Sequence, residues 1–371
     1  MKFFGLNSTL HQADSLADFV KDFAVNGRDL IITSKGMYQR QFEDLNLEAN
    51  FLFHDTYGKG EPTDVKIDAL LKDASAMAFD RVIAVGGGSV LDIAKLFVLK
   101  DLVHAEDAFT RSMDLVKDKQ LVCVPTTCGT GSEVTNITIA ELTKKGTKMG
   151  LADPVLYPDE AVLIPGLLID LPYKSFLYSA ADALIHATES WVSPKANAMT
   201  RLLSAEAIES ILDVFTLLDR YGEEERYMHL GDMLLASTMA GIAFGNTGVG
   251  AVHALSYPLG GTYHVAHGEA NTQFFSRVFE VYDQKDPGGA MAALKELIAV
   301  CLDCSDEEAL TELKKLLERL VGIQALSTYG MKEADIEAFA DSVMESQQRL
   351  LANNYVALSR DEIRDIYKDL F

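Results

Sequence analysis

The sequence predicts an α/β domain with a parallel sheet at residues 1–167, followed by an all-α domain at residues 168–371. At 371 residues the chain is long for one hydrophobic core, so two domains are the default expectation. In the first part, short β-rich segments alternate with helix-like segments, which is typical of a parallel sheet with crossover helices. In the second part, apolar residues recur at three- and four-residue spacing, which predicts helices.

Strands are predicted where apolar and β-branched residues form short runs: Asp29–Thr33, Asn50–Phe53, Arg81–Val85, Leu121–Val124 and Ala161–Pro165. Amphipathic stretches such as Asp64–Phe79 lie between these runs and predict helices. In the second domain, the same reasoning predicts helices at Ser175–Val192, Thr200–Leu218, Met291–Cys301 and Ile336–Leu351.

Composition excludes several classes of partner. The net charge of −22 argues against nucleic acid, because proteins that bind a phosphate backbone concentrate Lys and Arg on one face. No apolar run approaches the length that spans a bilayer, and the N-terminal segment lacks the sustained apolar stretch of a signal peptide. The four cysteines do not indicate a disulfide scaffold. We therefore expect a cytoplasmic protein without a nucleic-acid or membrane partner.

A glycine-rich turn follows the predicted strand Arg81–Val85. Gly86, Gly87, Gly88 and Ser89 come directly before a predicted helix, in the order RVIAVGGGSVLDIAK. Glycines at such a junction let the backbone approach an anion, and the helix N-terminus supplies N–H groups and a positive dipole end. Because the dinucleotide fingerprint GxGxxG is absent, the turn alone indicates either a phosphate-binding loop or merely a tight turn.

A second polar loop, PTTCGTGSE, follows the predicted strand Leu121–Val124. The carboxyl ends of strands in an open α/β sheet face the ligand crevice, so the hydroxyls of this loop suit a pyrophosphate, a ribose or a nicotinamide amide. The same residues would serve equally as an N-cap cluster for a following helix. Two such turns at successive strand ends favour a cofactor site.

Histidines form the third feature. His253, His264 and His267 are three of the eight histidines and lie within fifteen residues, while His186 lies four residues after Asp182. That spacing places the Asp182 carboxylate and the His186 imidazole on one helix face. An unpaired carboxylate in an apolar segment is costly, and a metal ion would compensate it. The pair alone could be a satisfied hydrogen bond, but with His253 and His267 the set indicates Fe(II) or Zn(II).

The motifs GGGSxxDxAK, PTTxGTGSE, DAxxHAxES and HGxAN occur in this order, and together they resemble the iron-containing (group III) alcohol dehydrogenase family. The resemblance extends over essentially the whole chain. It is greatest to the 4-hydroxybutyrate dehydrogenases of that family, which share the form YPLGGxYHVxHGEAN. It implies an N-terminal dinucleotide-binding α/β domain and a helical C-terminal domain, the dehydroquinate synthase-like fold, with one divalent metal.

Matched position by position, the family's metal ligands fall on Asp182, His186, His253 and His267. Its pyrophosphate motif falls on Gly86, Gly87, Gly88, Ser89 and Asp92. Its nicotinamide-side loop falls on Thr126, Thr127, Thr130 and Ser132, with Lys148 just beyond.

Two positions depart from the family pattern. Many members have a further histidine where this chain has Tyr257, so the proton-relay role passes to His264, our first candidate, or to Tyr257. Many members end the second strand with an aspartate that would bind the adenosine ribose, where this chain has Ser34 followed by Lys35. We expect NAD as the cofactor, with NADP as the alternative.

The resemblance implies reversible hydride transfer between the nicotinamide and a small aldehyde or alcohol, with Fe(II), or alternatively Zn(II), as a Lewis acid. The implied substrate pair is 4-hydroxybutyrate and succinate semialdehyde. Its carboxylate requires a cationic or hydrogen-bonding anchor, for which the candidates are Lys195, Arg201, Arg349, Tyr257, Tyr263 and His264. The alternatives are a general short-chain alcohol or diol dehydrogenase, a related lyase, and a non-catalytic nucleotide-binding protein. We expect a homodimer.

Overall fold

The computed structural model describes residues 3–58, 60 and 62–371. Contacts divide the chain into two compact units, Leu6–Leu171 and Pro172–Phe371, and the second unit also includes the residues up to Gly5. The division falls a few residues beyond the predicted boundary after residue 167, just past the 3-10 helix Pro165–Leu168.

The first unit is built around a parallel sheet. Its strands are β1 (Thr9–Gln12), β2 (Asp29–Thr33), β3 (Asn50–Phe53), β4 (Arg81–Gly86), β5 (Gln120–Pro125), β6 (Ile137–Leu142), β7 (Thr147–Ala152) and β8 (Glu160–Leu163). Six of them pair in parallel in the order β1-β8-β5-β4-β2-β3, and β6 and β7 form a separate antiparallel hairpin. The helices are α1 (Leu16–Asp22), α2 (Lys35–Met37), α3 (Asp64–Ala74), α4 (Gly88–Phe97) and α5 (Ala105–Phe109).

Alternate residues of the central strands supply two apolar clusters, one on each face of the sheet. Leu30 and Val82 belong to a cluster that also includes residues of α3, α4 and α5. Ile31 and Ile83, their neighbours along the strands, belong to the other cluster, which includes residues of α1. Because both faces are covered, these strands are apolar throughout, which is why the sequence revealed them.

The second unit is helical in its described residues. Its helices are α6 (Tyr173–Val192), α7 (Ala198–Tyr221), α8 (Leu230–Thr247), α9 (Ala251–Tyr263), α10 (His267–Lys285), α11 (Gly289–Leu302), α12 (Ala309–Leu320), α13 (Asp335–Ser346), α14 (Gln348–Leu351) and α15 (Arg360–Leu370). In the part of the chain that the structure describes, no helix combines the length and the apolar character needed to cross a bilayer.

The predicted α/β-plus-helical fold class is confirmed, and so are all five predicted strands, but some bounds were wrong. The helix predicted to reach Phe79 ends at Ala74, and the strand predicted to reach Pro165 ends at Leu163 because Pro165 opens a 3-10 helix. The single helix predicted over Ile336–Leu351 is two, α13 and α14, separated at Gln347. The apolar spacing continues across Gln347, so periodicity could not reveal the break.

Candidate metal centre and cofactor loops

Helix α6 supplies the first two predicted ligands. Asp182 and His186 are separated by one helical turn, and both are almost completely buried, at 2% and 4% exposure. The ring of His186 stacks on the ring of Phe244 in α8 with a centroid distance of 4.2 Å. That contact fixes the plane of the imidazole against a neighbouring helix.

The other two histidines come from the starts of two later helices. His253 is the third residue of α9, in the turn that follows the glycine-containing segment 248–250, and is buried. His267 is the first residue of α10 and is partly exposed. Helix ends can aim a side chain at a neighbouring element without interrupting either helix.

The four predicted ligands converge. One ligand atom from each of Asp182, His186, His253 and His267 lies within 4.8 Å of all the others. The His253 Nε2 atom is 3.0 Å from His186 Nε2 and 3.7 Å from Asp182 Oδ1. Ligands about 2.1 Å from a tetrahedral cation would stand about 3.4 Å from one another, so the cluster has the dimensions of a divalent metal site.

The donor chemistry fits a cation as well as the distances do. Two imidazole nitrogens that face each other at 3.0 Å can share only one hydrogen bond, whereas a cation between them would accept both lone pairs. Burial alone raises the pKa of Asp182, but His186, His267, His253 and a hydrogen bond from Asn271 outweigh it, so the pKa lies below its usual value. Positive charge beside Asp182 therefore favours its ionised form, which is the form that binds a metal.

Asn271 supports the cluster from α10, and sequence reasoning gave it no role. Its Nδ2 donates to Asp182 Oδ1 at 2.7 Å and lies 3.2 Å from His267 Nε2. Ser256 donates to the Asn271 Oδ1 atom and so fixes which end of the amide faces the carboxylate. The available signal was its position one turn after His267, in the segment HGEAN.

Gly268 lets α10 approach α6. A Cβ atom added there would lie 2.4 Å from the carbonyl oxygen of Tyr178 and 3.4 Å from Asp182 Cβ. A backbone oxygen cannot rotate away as the tip of a side chain can. A side chain at Gly268 would therefore push the start of α10, with His267, away from Asp182.

We expect Gly268→Ala to lower the free energy of unfolding by about 1–3 kcal/mol, the usual cost of overpacking, and to weaken metal binding. Thermal unfolding with and without added Co(II) measures both effects. Gly261→Ala is the matched control, because a Cβ atom at this position of α9 would meet nothing within 4 Å. Equal stability of the two variants would contradict the close-approach argument.

The two predicted proton-transfer residues have different surroundings. Tyr257 lies on α9 one turn after His253, and its ring centroid is 6.2 Å from that of His267. His264 is exposed and ends α9 in the left-handed backbone region, with φ of 54°. The structure thus places Tyr257 beside the ligand cluster, and the catalytic roles of both residues stay predictions.

The predicted phosphate turn lies in the α/β unit. Gly86 ends β4, and Gly87 is the N-cap of α4, which begins with Gly88 and Ser89. A Cβ atom added at Gly86 would lie 2.5 Å from the Val90 side chain. A Cβ atom added at Gly88 would lie 2.7 Å from the Thr130 side chain. At Gly87 the nearest atom would be in Thr127, at 3.1 Å. Internal packing therefore accounts for small residues here, and it brings the two predicted cofactor loops into contact.

Hydrogen bonds join the same two segments. Ser132 donates to Asp92 Oδ1 at 2.6 Å, and Asp92 Oδ2 accepts the N–H of Ile139 in β6. Thr126, at the end of β5, donates its N–H to the carbonyl of Gly86. Lys148 lies on β7 opposite Glu141. The predicted cofactor contacts of these residues stay predictions, while in the structure Asp92 and Ser132 hold the loop to α4 and β6.

Sequence reasoning missed Lys95, which is fully buried on α4. Its Nζ donates to Ser132 Oγ at 2.6 Å and to the carbonyl of Ile137. Burial lowers the pKa of this amine, while the nearby Asp92 opposes the shift. Lys95 thus ties the threonine-rich loop to α4, and its one signal was its place within the quoted motif GGGSxxDxAK.

Comparison with known proteins covers both units. The sequence-family model for iron-containing alcohol dehydrogenases matches residues 7–165. The sequence-family model for the C-terminal part of the Fe-containing alcohol dehydrogenase family matches residues 176–371. The chain is 47% identical over 371 residues to 4-hydroxybutyrate dehydrogenase of Clostridium kluyveri, covering 100% of both chains. It is 34% identical to long-chain-alcohol dehydrogenase 1 of Geobacillus thermodenitrificans over 79% of this chain and 75% of that one.

The fold also matches solved structures. Sulfoacetaldehyde reductase from Bifidobacterium kashiwanohense, solved in complex with NAD+, aligns with a TM-score of 0.84 and 21% identity. That alignment covers 99% of this chain and 98% of the other. Both halves of the sequence, the full-length relative and the convergent Asp-His-His-His cluster lead to one assignment: the chain belongs to the iron-containing alcohol dehydrogenase family.

Proposed function

We propose that this chain catalyses reversible hydride transfer between NAD+ and 4-hydroxybutyrate, with succinate semialdehyde and NADH as the products. The observation that carries the proposal is the 47% identity over the entire length to a 4-hydroxybutyrate dehydrogenase. The site independently supports the metal dependence of this reaction, because one ligand atom from each of the four residues lies within 4.8 Å of the others.

Asp182, His186, His253 and His267 would hold the metal. A bound divalent ion would act as a Lewis acid and polarise the carbonyl oxygen. The family indicates Fe(II) as this ion, and Zn(II) is the alternative. The residues of the chain provide the rest: Asn271 keeps Asp182 oriented, and Tyr257 or His264 transfers the proton to or from the oxygen. The NAD+ bound by the structural neighbour and the loops at the ends of β4 and β5 support NAD as the cofactor.

The decisive experiment is NADH oxidation by the Fe(II)- or Zn(II)-loaded protein with a panel of aldehydes. Turnover with succinate semialdehyde supports the proposal. Turnover of butanal or longer aldehydes alone would favour a general alcohol dehydrogenase. This alternative is tested because one relative is a long-chain-alcohol dehydrogenase. No turnover with any aldehyde would favour a lyase or a nucleotide-binding protein.

Coenzyme preference depends on the carboxyl ends of β2 and β3. Thr33 and Phe53 are paired neighbours at those ends, so Ser34 and Lys35 lie beside Asp55. The Asp55 carboxylate accepts the N–H of Lys35 at 3.1 Å. Asp55, two residues after β3, would therefore supply the negative charge that many family members place at the end of the second strand. It would repel the 2′-phosphate of NADP.

Asp55→Asn is expected to shift the ratio of kcat/KM for NADH over NADPH toward NADPH by about fivefold, since unit charges 4 Å apart in water interact by about 1 kcal/mol. Asp80→Asn makes the same charge change at the amino ends of the strands, immediately before β4, and should leave the ratio unchanged. A ratio that moves equally in both variants would mean that only net charge matters.

The predicted cytoplasmic location and homodimer belong to this proposal. Hydride transfer in both directions needs a supply of both NAD+ and NADH, which the cytoplasm maintains. Cell fractionation tests the location, and light scattering coupled to size exclusion tests the dimer.

A further inference from the structure

Glu189 shares a face of α6 with Asp182 and His186, one turn beyond His186, and is 2% exposed. Both oxygens of its carboxylate accept hydrogen bonds from the segment that begins α9. Oε1 accepts the N–H of Val252 at 2.7 Å, and Oε2 accepts the N–H of Gly250 at 3.0 Å. Oε2 also lies 2.7 Å from the Nδ1 atom of His253. One buried side chain thus holds both the backbone and the imidazole that follow it.

The contact with Nδ1 determines what His253 offers on its other side. A carboxylate can only accept, so the shared proton belongs to Nδ1. In the neutral imidazole, which is the form that binds a metal, Nε2 then directs its lone pair toward His186 Nε2 and Asp182 Oδ1, the atoms of the ligand cluster. A histidine that binds a metal through one nitrogen characteristically donates from the other to a carboxylate, which fixes the tautomer and orientation of the ring.

The packing of Gly250 is a second, independent sign of this arrangement. A Cβ atom at this position would lie 3.2 Å from Glu189 Oε1 and 3.0 Å from Asn354 Oδ1. Glycine thus lets the start of α9 approach the carboxylate closely enough for both backbone hydrogen bonds. The segment before His253 is shaped around Glu189.

We infer that Glu189 is a positioning residue of the metal centre: it sets the tautomer and direction of His253 and adds a buried negative charge beside the four ligands. This inference rests on the proposed metal site and is independent of the proposed substrate. The expected consequence of losing Glu189 is weaker metal binding by a protein that still has all four ligands.

Glu189→Gln tests this with little change in shape. An amide cannot accept from both Val252 and the Gly250–His253 pair, because one of its ends is a donor. We expect the Kd for Co(II), measured by competition with a chelator at one pH, to rise ten- to hundredfold, the usual effect of removing such a partner. The visible spectrum of bound Co(II) should also change, because the His253 imidazole is no longer held in one orientation.

Ser190→Ala is the matched control. Ser190 is the next residue of α6, is fully buried, and accepts a hydrogen bond from Thr247, which is not in the ligand cluster. It should lose stability in the metal-free state without losing Co(II) affinity. Melting temperatures of both metal-free variants separate a loss of fold from a loss of affinity.

The outcomes are distinct. A Glu189→Gln protein that binds Co(II) as tightly as the wild type, with the same spectrum, overturns the role of Glu189 alone. A wild-type protein that binds no Co(II) overturns the proposed metal chemistry and this inference together. If the variant does not fold, nitrogen NMR of the zinc-loaded wild type decides the matter: a proton on His253 Nδ1 is expected, and a proton on Nε2 overturns the inference.

Discussion

His267→Ala is expected to abolish stoichiometric metal binding and to lower kcat/KM by more than about a thousandfold, because a Lewis acid contributes several kcal/mol to this kind of reaction. His267 is the most suitable of the four ligands to remove. Its side chain is 31% exposed, whereas those of His253 and Asp182 are 2% and 3% exposed. Truncating it therefore creates little buried cavity, and the chain should stay folded.

Metal content per chain after dialysis, with circular dichroism as the check on folding, measures this effect. His264→Ala is the control for metal content, because His264 lies three residues earlier and is exposed. It should retain the metal whatever its effect on turnover. A full complement of metal in the His267→Ala protein would remove this residue from the ligand set.

Helix spacing predicted the pairing of Asp182 with His186, whereas His253 and His267 joined the set only because they lie close together in the sequence, and the resemblance then matched all four to the family's ligands. The four-residue spacing of Asp182 and His186 places their side chains on one helix face, and this prediction needs only helix geometry. The approach of His253 and His267 to that pair depends on how α9 and α10 pack against α6, which spacing along the chain does not encode. The ordered motifs supplied this information because they belong to a family whose members share the packing.

Residues that support the ligands escaped prediction for the same reason. Glu189 and Asn271 lie within the quoted motifs, but their roles are contacts between helices, Glu189 with α9 and Asn271 with α6.

Among the strands, β1 was missed because it lies at the sheet edge with mostly exposed residues. The strand at the other edge, β3, was found because Phe51, Leu52 and Phe53 form an apolar run, which β1 lacks.

The second large effect concerns the substrate. The proposed function predicts that kcat/KM for succinate semialdehyde exceeds that for butanal by about ten- to hundredfold. The two aldehydes are similar in length, but only the first carries a distal carboxylate. A charge-assisted hydrogen bond to that group contributes about 1.5–3 kcal/mol, which corresponds to this ratio. Equal specificity constants would indicate a general short-chain alcohol dehydrogenase.

The structure narrows the predicted anchors for that carboxylate. Lys195 already donates to Asn353 at 2.8 Å, and the Tyr263 hydroxyl donates to Asp335, so a substrate would have to displace these partners. The Arg201 guanidinium lies over the ring of Trp191, 6.0 Å from its centroid. Arg349, by contrast, is an exposed cation on α14, a helix that packs against α9.

Arg349 is therefore the anchor that we would remove first. The Asn353 side-chain amide donates hydrogen bonds to the backbone carbonyls of Arg349 and Val249. These bonds link α14 to the segment that leads into α9 and His253. Arg349→Gln should reduce the preference for succinate semialdehyde by about tenfold, the value of one charge-assisted contact, while butanal turnover stays constant. Arg319→Gln, which removes an exposed arginine paired with Asp219 on α7, is the control for net charge. A preference that falls equally in both variants would show that the carboxylate is attracted by the overall field, and an unchanged preference would assign its recognition to Tyr257 or His264 instead.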